Sequence, residues 1–115
     1  MSYIFKHGDR VVWSPALRVG ELYVGLARAL EPLLGVESGL DPMASDFYRI
    51  DGVRFEAFVT AMAAFPKHPI AHRLLDGIYV TSLAMLDRMV DGSAERLDPA
   101  SAAEVSELLR QMPDL

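Results

Sequence analysis

The spacing of apolar positions changes several times along the chain, and each change marks an element. YIFK (3–6) and RVVW (10–13) are short β-branched and aromatic runs around HGD, whose Gly8 can take the positive φ of a tight turn. A β-hairpin is predicted. Ser14 is a favourable N-cap, and Pro15 at a first helical position loses an N–H that had no partner there. From this junction Val19, Leu22, Tyr23, Leu26, Leu30 and Leu33 share one helical face, with Arg18, Glu21, Gly25 and Arg28 opposite. This predicts an amphipathic helix of about five turns, kinked or ended between Glu31 and Gly35 by Pro32.

GVESGLDPMAS (35–45) has no apolar period and reads as a surface loop. DFYRI (46–50) predicts a third short strand, and Asp51 a cap for a second helix over GVRFEAFVTAMAAF, with Phe55, Phe58, Val59 and Met62 inward and Ala57, Ala61 and Ala64 forming a smooth side. PKHP (66–69) breaks the chain, and Pro69 opens a third helix to about Val90. Its apolar set is Leu74, Leu75, Ile78, Met85, Leu86 and Met89, widened by Tyr79, Leu83 and Val90, as expected of a central helix. The remaining strip, including Arg73, Asp76, Val80, Ala84, Asp87, Arg88 and Asp91, reads as a surface whose charges pair weakly. Asp98-Pro99 starts a last helix with Ala102, Val105, Leu108, Leu109 and Met112 inward, closed by Pro113. The expected fold is α+β and mainly helical: about four helices packed with a small antiparallel sheet formed by the N-terminal hairpin and a third strand. Residues 1–115 fit a single compact domain.

Composition narrows the function. The hydrophobic share, 51 %, is high for such a chain, so an extra buried surface and hence a homodimer are expected. A net charge of −5 with scattered basic residues opposes nucleic acid and favours a basic protein partner. Zero cysteines remove disulfides and thiolate chemistry and fit a cytoplasmic protein. No apolar run approaches the roughly 18 residues that span a bilayer, and no signal peptide is expected at MSYIFKHGD. Nine arginines and fourteen alanines suggest a GC-rich bacterial genome.

Candidate chemistry is sparse. His68 and His72 have the i,i+4 spacing of metal ligands, yet polar residues at a helix start explain them better, and no metal or other cofactor is expected. Asp87 and Asp91, one turn apart, read as a charged helix surface rather than an acid–base pair. No nucleophile elbow or phosphate loop is present, so catalysis has no positive support. DFYRIDGVRF is denser: Tyr48, Arg49, Asp51 and Arg54 mix aromatic, basic and acidic groups as protein interfaces do. Trp13 with Tyr3 could line a pocket beside it, although a lone Trp next to Val11 is more often core.

The stretches YIFKHGDRVVWSPALRVGELYVGLARALEPLLGVESGL, FYRIDGVRFEAFV and HRLLDG resemble a family of small uncharacterised actinobacterial proteins, a domain of unknown function. The resemblance implies a stand-alone cytosolic bacterial protein and supplies no catalytic residues. The expected function is a non-catalytic protein-interaction module, such as an immunity protein or a small accessory partner of another bacterial protein. Its contact region would be Asp46 to Arg54 with Glu37 to Asp41. The other reading is a small-molecule binder or small enzyme with a pocket lined by Trp13, Tyr23, Tyr48 and Tyr79.

Overall fold

Two hairpins make one sheet. In the computed structural model, which describes residues 2–65 and 68–114, β1 (Ile4–His7) and β2 (Arg10–Trp13) pair antiparallel around Gly8 at φ 60°. β3 (Leu40–Ala44) and β4 (Phe47–Ile50) form the second hairpin, and β1 lies parallel to β4, giving the order β2-β1-β4-β3. Helix α1 (Leu17–Leu34) carries the chain between the hairpins; a parallel neighbour needs such a crossover. Then follow α2 (Gly52–Ala63), α3 (Pro69–Met89), the short α4 (Ser93–Leu97), a 3₁₀ turn at Pro99–Ser101 and α5 (Ala102–Leu109). The fold is α+β and mainly helical, as the periodicity predicts.

Several details differ, each for a physical reason. The predicted loop at 35–45 contains β3, and the sheet is mixed rather than antiparallel. Pro42 hides this strand from a sequence reading, but a residue without an N–H is tolerated at a sheet edge, where β3 lies. Ser14 caps no helix. The segment after β2 stays extended: Pro15 accepts from the Tyr3 N–H at 2.9 Å and Ala16 bridges to Ser2, so α1 begins only at Leu17. Its end is as expected, with Gly35 at φ 71° donating to Glu31. The predicted last helix begins as the 3₁₀ turn and continues as α5, and the short α4 before it was not predicted. The break predicted at Pro66 and Lys67 lies outside the described residues, while Pro69 opens α3 as expected.

The largest correction concerns which face of α1 is buried. Val19, Leu22, Leu26 and Leu33, predicted to be core, are exposed, and the buried positions are Gly20, Tyr23, Val24 and Ala27. A Cβ on Gly20 would lie 2.3 Å from the Tyr3 ring, so the sheet approaches too closely for large side chains along that line. Small residues therefore mark the inner face, and the leucines turn about a quarter circle away. In α3 the strip assigned to solvent is partly interior: Val80 and Ala84 are buried, whereas Leu74 is exposed.

The core joins the inner sheet face to the helices. A register shift between Phe5 and Lys6 sets two consecutive β2 residues, Val12 and Trp13, inward, as a bulge allows. Phe5 stacks on Trp13 at 5.7 Å, and Tyr23 meets both edge-on while bonding the Ser82 hydroxyl at 2.7 Å. Both sheet edges are guarded by arginines from helices. Arg88 donates to the Val12 carbonyl at 2.6 Å and also to the carbonyls of Leu109 and Met112. Arg28 donates to the Leu40 carbonyl at 2.7 Å. The Ser14 N–H, next along the β2 edge, is taken by the Pro113 carbonyl at 2.7 Å. Such covering prevents edge-to-edge pairing between chains.

Candidate functional site

The outer sheet face and the start of α2 bring the predicted contact region together. Register alignment runs Val11, Lys6, Arg49 and Asp41 across all four strands on one face, and only Arg49 of these is fully exposed. Lys6 Nζ lies 6.0 Å from the centre of the Phe47 ring. At the β3 end this row meets α2. Asp51 caps the helix by accepting the Arg54 N–H at 3.0 Å, a bond present because Asp51 is extended while its carboxylate reaches the first turn.

Arg54 then projects back over β3 and gathers three carboxylates. Its Nη1 lies 2.8 Å from Glu37, its Nη2 2.6 Å from Asp41 and its Nε 3.4 Å from Asp51. Bonds to Asp41 and Glu37, opposed by partial desolvation, push the guanidinium further up from an already high pKa. The Asp51 carboxyl is held below its usual range, first by the Arg54 N–H and then, against some desolvation, by the Arg54 side chain. A carboxylate offers about four lone-pair positions, so most acceptor capacity of these half-exposed groups still faces solvent. With one cation among three anions, this collar is acidic.

Gly39 makes the collar possible. At φ 77° it occupies the left-handed region, and a Cβ there would lie 2.8 Å from the Phe55 nitrogen and 2.9 Å from the Asp51 oxygen. Its carbonyl accepts the Asp51 N–H at 2.8 Å, so the segment before β3 rests directly on the start of α2. From the other side Glu31 accepts the Ser38 N–H at 2.8 Å and an Arg28 bond at 3.0 Å. Burial acts to raise the Glu31 pKa, but these bonds prevail and lower it.

Of the residues singled out in the sequence, Glu37, Asp51 and Arg54 therefore meet. Arg49 is the cross-strand neighbour of Asp41. Tyr48 points to the other face, half-buried against Tyr3 and Phe5, and Trp13 is buried beyond Phe5, so these two aromatics do not join the collar. Nor do the four aromatics of the alternative pocket share a cavity. Trp13 and Tyr23 border a groove between α1 and α3, Tyr79 borders another against α2 and the α4–α5 connection, and Tyr48 lines neither. Asp41 and Gly39 fall within the predicted contact span Glu37 to Asp41, but no individual role for either was legible, because Pro42 obscures the strand alternation of Leu40 buried and Asp41 outward.

Asp87 and His68 have local roles. Asp87 accepts the Ala94 N–H at 2.9 Å, capping α4 from a distance, and His68 accepts the Ile70 N–H at the start of α3. Among the described residues no cluster of three or more potential metal ligands occurs, and no helix is long and apolar enough to cross a membrane.

The profile of one protein family matches residues 1–114, nearly the whole chain. The chain belongs to DUF6086, a family of unknown function. No curated protein and no solved structure matches it. The collar and the sheet row are thus features of a DUF6086 chain read from its own geometry, and the DUF6086 match spans both of their segments.

Proposed function

We propose that this DUF6086 chain is a non-catalytic protein-interaction module that presents the Glu37, Asp41 and Asp51 carboxylates to a basic side chain of a partner protein. The observation that carries this reading is the collar itself: two separate segments are held rigidly so that three half-exposed carboxylates share one arginine. Arg54 frames the surface, and the carboxylates with Arg49 make the contacts. The net charge of −5 would speed encounter with a basic partner. An immunity protein or a small accessory partner of an enzyme has this character. The lack of cysteine supports a cytoplasmic setting.

The test is affinity capture of the tagged protein from lysate of its source organism, with wild type beside Glu37→Lys/Asp41→Lys. The expected outcome is one co-purifying protein in near-stoichiometric yield, its affinity reduced about tenfold or more in the variant while circular dichroism is unchanged. Equal recovery from both would overturn the collar as the contact surface. Enrichment of a metabolite without any protein would favour a small-molecule binder. That second reading draws on one feature, a groove of about 480 Å³ in which the Tyr79 and Ser101 hydroxyls both donate to Asp98, with His72 and Asp76 at its side.

A further inference from the structure

We propose that a second copy of this chain covers the apolar groove between α1 and the first half of α3, forming a two-fold homodimer. The inference uses residues outside the acidic collar and stands or falls independently of it. One wall is the exposed face of α1, with Val19, Leu22 and Leu26; the other is α3, with Leu74 and Gly77, and Trp13 and Ile78 lie at the base. Leu22 and Leu74 are 63 % and 79 % exposed, extreme for leucines in the middle of helices.

The exposed apolar area points to an identical occupant. Val19, Leu22, Leu26 and Leu74 together expose roughly 400 Å², within the range of the largest apolar patch on a monomer, where such patches are often functional. Two such faces would remove about 800 Å² of apolar surface, which at the ~65 % apolar share of homodimer interfaces corresponds to about 1,200 Å², the threshold for a stable interface. The chain carries −5, yet Arg73 is the one charged residue that lines this groove, so the acidic excess lies elsewhere.

One glycine adds to this. Gly77 lies within α3 at ordinary φ, and a Cβ on it would meet nothing within 4 Å. Glycine weakens a helix interior relative to alanine, and packing within the chain does not require it. Gly77, across the groove from the α1 leucines, leaves room for a partner's side chain.

Sedimentation of the full chain at about 100 μM should give twice the 12.7 kDa chain mass, and Leu22→Glu/Leu74→Glu should return it to the single-chain mass with an unchanged circular dichroism spectrum. Because the natural chain has no cysteine, single spin labels provide a second reading that does not depend on the double variant. Leu26→Cys should show intermolecular dipolar broadening, and Asp91→Cys, beyond the far end of α3, should not. A monomeric wild type, a dimer that survives the double substitution, or broadening at position 91 without broadening at 26 would each overturn the proposal. Loss of the dimer with retained partner capture, or the converse, separates this face from the collar.

Discussion

Arg88 and Arg54 each hold three partners, yet they sit in opposite surroundings. Arg88 is about 10 % exposed and binds three neutral carbonyls, with Asp114 at 3.9 Å, whereas Arg54 is 37 % exposed and binds three carboxylates. Formal charge would rank Arg54 as the stronger tie. Desolvation reverses the order, because solvent and salt weaken the surface pairs while the carbonyls around Arg88 have no ready replacement donor. One arginine holds the fold, and the other shapes a surface.

The sharpest way to break this comparison is Arg88→Ala. It strands carbonyls on β2 and after α5, and a loss of about 3 kcal/mol is expected in urea unfolding. Arg88→Lys should recover only part of it, since an ammonium cannot spread its donors as a guanidinium does. An effect no larger than that of Arg54→Ala would refute the ranking.

Acid titration gives an intermediate effect. Glu31 and Asp51 have folded pKa values below their ordinary ones, so the unfolded chain binds protons first as pH falls. Their contribution is complete above the ordinary carboxylate range, near pH 4, and is lost as pH drops through the lowered values. Urea midpoints measured from pH 6 downward should decline below about pH 4.5, and Glu31→Gln with Asp51→Asn should flatten the decline. A slope unchanged by both would mean that other carboxylates govern acid unfolding.

The smallest effect belongs to Arg54→Ala. In low salt the three carboxylates left behind repel one another and the unfolding midpoint should fall modestly. In about 1 M salt the difference from wild type should nearly vanish. Arg88→Ala should keep its deficit under the same conditions, and a salt-insensitive Arg54 variant would place the collar among the interior contacts.

The sequence was most informative where structure is local. The hairpin around Gly8, the Asp51 cap and the Pro69 start follow from the chemistry of a few adjacent residues, and each is present. Features set by distant packing were hidden. Hydropathy selected the leucines of α1, but the close approach of Tyr3 at Gly20 selected the small face instead. Arg88 reads as a surface charge because nothing near it in sequence announces carbonyls from β2 and α5. For the candidate site, residue type in DFYRIDGVRF and at Glu37 pointed to residues of which Glu37, Asp51 and Arg54 meet in the fold. Tyr48 and Trp13 lie apart from the collar in the aromatic stack on the inner face, Trp13 in the core as is usual for a lone Trp beside Val11.

The bond from Ser14 to Pro113 and the reach of Arg88 to β2 also bear on how the chain is born. The first hairpin is synthesised well before the groups that seal its outer edge, which come from residues 88 to 113. At ordinary translation rates of about 5–20 residues per second, the gap between Ser14 and Pro113 lasts roughly 5–20 s. Throughout that interval the nascent β2 strand offers an unguarded template to its neighbours on a polysome, until residues 88 to 113 close it.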